Sequence, residues 1–309
     1  MKQERIHFTG NGGVKLQGII WLPDNAPRAL LQITHGMTEH IGRYTKLAAS
    51  LTAQGIAAAG FDLRGHGANP GDPACASFGE GGWDASLEDM HLFRLELTER
   101  FGAIPHFMLG FSLGSFLLRE YLGLYDDKLA GAAILGTGCQ PGAVLSLMMA
   151  IVKGQIRKMG FDRTTPLVRK LSFETYNRQF APNRTASDWL CADQAELDAY
   201  IADPLCRADI SAGLFWQLLD SMKRTGSDHS CDSWDKTLPV LLMSGQDDPV
   251  GSSGRGVEQV KQAMTRAGLA HVAMHLFKGA RHDLLHEEVS GCAGQARKIL
   301  LDWMMDVIA

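Results

Sequence analysis

The chain has 309 residues, of which 45% are hydrophobic and 21% are charged, as is ordinary for a globular protein with a sizeable core. Its net charge of -4 provides no electrostatic basis for binding nucleic acid. The polar first residues lack the apolar segment of a signal peptide, and no run approaches the ~18 apolar residues of a membrane-spanning helix. The sequence therefore predicts a cytoplasmic protein, and its six scattered cysteines are expected to be reduced thiols.

Short apolar runs alternate with helical patterns in the first part of the chain. This alternation predicts a mostly parallel sheet with helices on both faces, since each parallel connection needs a crossover element. The expected strands are 15–22, 29–34, 56–61, 106–109 and 129–135, and the expected helices are 44–54, 83–101 and 115–125.

The alternation stops between residues 139 and 234, where helical patterns occur without a convincing strand. It resumes with a strand at 239–243 and a strand at 271–277, followed by a closing helix at 296–308. We therefore expect an α/β core formed by residues 1–138 and 235–309, interrupted by a helical insertion of residues 139–234.

Residues 110–114 read GFSLG and lie between a predicted strand and a predicted helix. The pattern alone is weak, but a sharp strand-to-helix turn would lift the hydroxyl of Ser112 above the sheet. Gly110 and Gly114 lack the Cβ atoms that would clash in so tight a turn. The context therefore predicts that Ser112 is a nucleophile and that the backbone N–H of Leu113 faces a developing oxyanion.

A serine nucleophile needs a base, and the base needs a carboxylate that orients it. Asp247 and Asp248 follow one late strand, and His282 follows the next, at the edge where α/β sheets place their sites. Asp248 is favoured because it is third after Gly245 and precedes Pro249 and Val250, where a turn aims one side chain inward. His282 is favoured over His286 because it lies immediately beyond its strand.

An oxyanion hole needs a second N–H donor. The loop after strand 29–34 reads HGMTEH, and Gly36 lets the backbone turn so that the Met37 N–H points inward. His35 lies near this chemistry but is expected to be a turn residue. The loop at 62–67, DLRGHG, is expected to be a braced turn, although a second acid or a substrate clamp is the alternative.

Taken in order, these segments resemble the monoacylglycerol lipase and lysophospholipase branch of the α/β-hydrolases. The resemblance implies an α/β-hydrolase fold, a helical cap at 139–234 and hydrolysis of single-chain acyl esters. It also implies a triad of Ser112, Asp248 and His282, with Met37 and Leu113 as oxyanion donors. Thr38 departs from the family, which usually has glycine there, and Ala68 stands where serine is frequent. The matching segments are HGMTEHIGRY at 35–44, FDLRGHG at 61–67, GFSLG at 110–114, DPLC at 203–206, GQDDPV at 245–250 and ARH at 280–282.

The stretch at 143–158 is apolar nearly all round and basic at its end. We expect Gly36, Met148, Ile151 and Val152 to contact the substrate, because an acyl chain requires an apolar lining. Two alternatives remain open for this helix. It rests transiently on a membrane surface, which would make the protein peripheral to membranes, or it simply packs on the core.

The predicted activity is ester hydrolysis without a metal or organic cofactor, and no HExxH spacing indicates a zinc site. Within the same fold, a small-ester esterase, a thioesterase and an acyltransferase remain alternatives. A catalytically silent binding protein is disfavoured because all three candidate triad residues are present. The sequence does not indicate an oligomeric state.

Overall fold

A computed structural model describes residues 1–69, 71–72, 74–125, 128–206 and 208–309, without the side chain of Ser172. The strands in this described part of the chain are β1 (Lys2–Thr9), β2 (Lys15–Leu22), β3 (Ala29–Thr34), β4 (Ile56–Phe61), β5 (Cys75–Ala76), β6 (His106–Phe111), β7 (Gly131–Leu135), β8 (Asp209–Ile210), β9 (Val240–Gly245) and β10 (Val272–Phe277).

Eight of these strands form one sheet in the order β1-β2-β4-β3-β6-β7-β9-β10. The neighbours β1 and β2, and β2 and β4, are antiparallel, whereas all later neighbours are parallel. The central parallel strands are buried along their whole length, as expected when both faces of a sheet are covered. The predicted mostly parallel sheet is confirmed.

Helices cover both faces of this sheet. One hydrophobic cluster joins the sheet to the helices at 82–101, 113–124 and 255–266, and a second joins it to the helices at 45–52 and 292–308. No helix in the described ranges is long and apolar enough to cross a membrane. The helices are α1 (Thr45–Thr52), α2 (Gly82–Phe101), α3 (Leu113–Leu124), α4 (Gly142–Met159), α5 (Pro166–Arg169), α6 (Thr175–Asn177), α7 (Gln194–Ala202), α8 (Ala212–Thr225), α9 (Arg255–Arg266) and α10 (Cys292–Ile308).

The chain between β7 and β9 carries helices α4 to α8, and α4 packs against α8. The expectation that this stretch holds no strand is wrong in one detail, because β8 pairs in parallel with β5 of the core. Two residues are too few to produce an alternating pattern in the sequence. The boundaries of the insertion at 139 and 234 stay a prediction.

The fold brings four loops together at one edge of the sheet. β3, β6, β9 and β10 are all parallel, so their carboxyl ends share that edge. The loops after them carry Met37, Ser112, Asp248 and His282, respectively. In open α/β sheets this edge is where sites are built.

Candidate active site

The turn between β6 and α3 places Ser112 in a strained conformation, with φ 52° and ψ -117°. A Cβ atom on Gly110 would lie 2.3 Å from the carbonyl oxygen of Gly114, and one on Gly114 would lie 2.2 Å from that of Thr34. Both positions therefore require glycine. The Ser112 N–H donates to the Leu135 carbonyl at 3.0 Å, which ties the turn to the neighbouring strand.

The hydroxyl of Ser112 lies 2.8 Å from Nε2 of His282, and Nδ1 of His282 lies 2.9 Å from Oδ2 of Asp248. The side chains of His282 and Asp248 are 1% and 0% exposed. A carboxylate at Nδ1 fixes the proton there and leaves Nε2 free to accept one from the serine. The structure thus brings together the three residues predicted to form the triad.

Asp248 is held by donors besides His282. The hydroxyl of Ser244 donates to its Oδ2 at 3.1 Å, and the Val250 N–H donates to its Oδ1 at 2.8 Å. Asp247, the alternative acid, is exposed. The turn therefore directs only the second of the two adjacent carboxylates toward the histidine.

His286, the alternative base, is buried in a charged network behind the site. Its Nδ1 lies 2.7 Å from Asp283, and its Nε2 donates to the carbonyl of Arg43 at 3.0 Å. Arg43 also donates to Asp283 at 2.6 Å and pairs with Glu39. Burial by itself would raise the pKa of Asp283, but Arg43 and His286 hold that pKa well below its usual range. The network joins the loop after β3 to the loop after β10.

The loop after β3 is oriented by His35. Its Nε2 accepts from the Leu63 N–H at 2.9 Å, so Nδ1 carries the proton and donates to the Gly36 carbonyl at 2.7 Å. This fixes the peptide plane that also contains the Met37 N–H. Within the described ranges, the N–H groups of Met37 and Leu113 donate to no protein acceptor, as an oxyanion hole requires.

The loop at 62–67 has the geometry of a braced turn. Asp62 accepts from the backbone N–H groups of Ile41 and Ala68, and Arg64 pairs with Asp89 at 2.6 Å. These contacts are all within the protein. They account for the residue types in the loop without a bound substrate.

A cavity of about 420 Å³ opens beside Ser112. Its lining is mixed, with charged, hydroxyl-bearing, aromatic and aliphatic side chains. The rings of Phe111 and Trp189 each have their centroid 5.0 Å from that of His282. The polar lining residues include Thr38, Glu39, Arg43, Arg169, Glu174, Tyr200, Asp209 and Asp283, and the apolar ones include Met37, Phe111, Phe173, Trp189, Leu190 and Ile201.

The structure does not place the four predicted substrate contacts in this cavity. Gly36 is buried, and a Cβ there would lie 3.0 Å from both Glu39 and Phe111, so its missing side chain serves packing. Met148 and Val152 belong to the core packing of α4, and Ile151 is 38% exposed. The chain between β7 and β9 lines the cavity instead with the segment between α5 and α8, whose aromatic residues show no regular spacing in the sequence.

Comparisons with known proteins agree with this geometry. A family model described as Serine aminopeptidase, S33 matches residues 25–289. The monoacylglycerol lipase of Mycolicibacterium smegmatis is 24% identical over 291 residues, covering 91% of this chain and 90% of the relative. The monoglyceride lipase of Homo sapiens is 25% identical over 298 residues, covering 93% of this chain and 86% of the relative.

Two solved structures share the whole architecture. A thermostable carboxyl esterase from Bacillus coagulans, in complex with glycerol, superposes with a TM-score of 0.88 at 21% identity over 100% of both chains. A soluble variant of the monoglyceride lipase from Saccharomyces cerevisiae, in complex with a substrate analog, gives a TM-score of 0.77 at 20% identity, covering 99% and 96% of the two chains. The predicted α/β-hydrolase fold is confirmed.

Proposed function

Because the chain belongs to the serine aminopeptidase S33 family and is a carboxylic ester hydrolase, we propose that it cleaves single-chain acyl esters, namely monoacylglycerols or lysophospholipids, through an acyl-enzyme on Ser112. The observation that carries this proposal is the hydrogen-bonded series Ser112, His282 and Asp248, of which Ser112 and His282 line the cavity.

In the proposed reaction, His282 Nε2 takes the proton of Ser112 as Oγ attacks the ester carbonyl carbon. The N–H groups of Met37 and Leu113 stabilise the tetrahedral oxyanion. When the C–O bond breaks, His282 returns the proton to the leaving alcohol. Water then enters, His282 deprotonates it, and the acyl group leaves as a carboxylic acid while Ser112 regains its proton.

The mixed lining of the cavity supports a substrate with one polar end and one acyl chain. Hydroxyl or phosphate-ester groups would lie near Arg43 and the carboxylates beside it. The chain would lie against Phe173 and Trp189. Each buried CH₂ contributes about 0.8 kcal/mol. Activity should therefore rise with chain length until the cavity is full.

The nucleophile is tested by covalent labelling with a fluorophosphonate. Ser112→Ala should abolish labelling, because among the described side chains the Ser112 hydroxyl is the one hydrogen-bonded to His282 Nε2. Ser187→Ala is the control, since Ser187 also lines the cavity and its loss should leave labelling intact. Labelling that persists in Ser112→Ala would overturn the proposal.

The substrate class is tested with a matched panel of monoacylglycerols, lysophosphatidylcholines, acyl-CoAs and p-nitrophenyl esters of graded length. We expect kcat/KM to be highest for medium or long acyl chains on glycerol or glycerophosphocholine. Far better turnover of acetyl esters would indicate a small-ester esterase, and preference for acyl-CoA would indicate a thioesterase.

A further inference from the structure

Thr38 occupies an unusual backbone conformation in the loop that carries one proposed oxyanion donor. Its φ is 56°, in the left-handed region that favours glycine. For a β-branched residue this conformation is a genuine outlier that persists only where neighbouring groups compensate for the strain. The surroundings must therefore hold Thr38 in place.

The contacts that hold Thr38 come from helix α7. The hydroxyl of Tyr200 donates to the Thr38 carbonyl at 3.1 Å and lies 2.9 Å from Thr38 Oγ1. Thr38 Oγ1 in turn lies 2.7 Å from the carbonyl of Met37. The guanidinium of Arg43 lies over the face of the Tyr200 ring, 5.0 Å from its centre, and this contact also holds the ring. Burial raises the pKa of Tyr200, so its hydroxyl remains a donor.

A second contact joins the same helix end to the same loop without touching Thr38. His40 Nε2 lies 2.9 Å from Oδ2 of Asp203, the residue that ends α7. The loop after β3 is therefore attached to α7 at two points. Only the contact through Tyr200 acts on the strained residue.

We propose that Tyr200 is a positioning residue that holds Thr38 in its left-handed conformation and so keeps the Met37 N–H directed at the oxyanion. The Gly36–Met37 peptide is held on one side by His35 Nδ1, through the Gly36 carbonyl. On its other side the chain continues through the Met37–Thr38 peptide, whose carbonyl accepts from Thr38 Oγ1. Without the tyrosine hydroxyl, relaxation of φ at Thr38 turns the adjoining peptides and moves the Met37 N–H. This inference rests on the proposed function of Ser112 and its oxyanion hole.

The test is a double-mutant cycle on ester hydrolysis. Tyr200→Phe removes only the hydroxyl, and we expect kcat to fall about tenfold with KM nearly unchanged, because losing an oxyanion donor outright costs about 10²–10³ in kcat. Thr38→Gly removes the strain, since glycine adopts positive φ freely. In the T38G background, Y200F should therefore change kcat by less than about twofold.

His40→Ala is the matched control, because it cuts the second contact and leaves those of Thr38 intact. We expect its kcat to stay within about twofold of the wild type. An unchanged kcat in Y200F, or a loss that T38G does not restore, would overturn the inference. A rise in KM alone would do the same, since it would indicate that Tyr200 contacts the leaving group instead.

Failure of this inference can be told apart from failure of the proposed function. If Ser112→Ala abolishes fluorophosphonate labelling and turnover while Y200F retains full kcat, only the role of Tyr200 is rejected. If Ser112→Ala remains active, the proposed function fails first. Near-ultraviolet circular dichroism of each variant establishes that the comparison is made between folded proteins.

Discussion

At the scale of single residues, the site depends on glycine positions where no side chain fits. Gly114 shows this most clearly, because a Cβ there would lie 2.2 Å from the Thr34 carbonyl oxygen and 2.7 Å from that of His35. Both obstacles are backbone atoms of the adjacent strand end. They cannot move aside without displacing the loop that carries Met37.

We expect Gly114→Ala to destabilise the protein by more than the about 1–3 kcal/mol of ordinary overpacking, because backbone atoms have to shift. Gly154→Ala in α4 is the control, since nothing lies within 4 Å of the added Cβ. There alanine should stabilise the helix by up to about 1 kcal/mol. Urea unfolding of both variants measures the difference, and equal stabilities would show that the turn tolerates a side chain.

Two adjacent carboxylates provide a second comparison at this scale. Asp248→Asn should lower kcat by about four orders of magnitude, because an amide holds His282 in the wrong tautomer. Asp247→Asn, on the exposed neighbour, should leave kcat within about twofold. Steady-state kinetics on a p-nitrophenyl ester measures both. Comparable losses in the two variants would contradict the assignment of Asp248.

The sequence was sufficient to select these residues, and the reason is physical. A strand end fixes where a side chain emerges, so Ser112, Asp248 and His282 could be located from the apolar runs before them. Thr38 shows the limit of this approach. Its identity was visible as a departure from the family, but its partner Tyr200 is 162 positions away and follows no pattern that links the two.

At the scale of elements, α4 shows why apolar composition does not identify a binding surface. The helix buries Leu145 and Val152 and packs on α8, whereas Leu147 is 64% exposed. The sequence pattern led us to expect an acyl tunnel, but it is also compatible with a membrane contact or simple packing, because it does not identify the helix that packs against α4. The strands were easier to predict, since a buried parallel strand is apolar on both faces.

The exposed side of α4 allows the membrane alternative to be tested. Val144, Leu147 and Ile151 are exposed and follow a helical period. We expect the wild type to cosediment with phospholipid vesicles and the triple substitution V144S/L147S/I151S to remain in the supernatant, because the apolar contact with lipid is lost.

The control for this experiment is Leu124→Ser at the end of α3, where the leucine is 63% exposed. Its cosedimentation should match that of the wild type. Hydrolysis of a water-dissolved p-nitrophenyl ester should be unchanged in all variants. Equal cosedimentation of the triple variant and the wild type would exclude α4 as a membrane contact.

At the scale of the whole molecule, buried histidines couple stability to pH. Burial, together with the nearby His35, lowers the pKa of His66 to about 3 from an ordinary value of 6.5. Its Nδ1 donates to the Arg64 carbonyl, and its Nε2 meets no hydrogen-bond partner among the residues that the structure describes. Below pH 6.5 the unfolded chain binds a proton at this residue that the folded protein does not bind. Its contribution to stability is therefore complete above pH 6.5 and is lost as the pH falls toward 3.

We expect His66→Leu to flatten this dependence. Between about pH 6 and pH 4 the free energy of unfolding of the wild type should fall by about 1.4 kcal/mol more for each pH unit than that of the variant. His229→Leu is the control, because that side chain is 88% exposed, and its slope should match the wild type. Denaturant unfolding at several pH values measures the slopes, and parallel curves for His66→Leu would reject the assignment.

The hydrogen bond between Ser112 and His282 joins residues 170 positions apart. During synthesis Ser112 emerges well before β9 and β10, which are followed by Asp248 and His282. A nascent chain that ends between β7 and β9 therefore carries the proposed nucleophile without the proposed acid and base. Reactivity toward a fluorophosphonate then reports that the last two strands have joined the sheet, so activity measures the completion of folding as well as the chemistry.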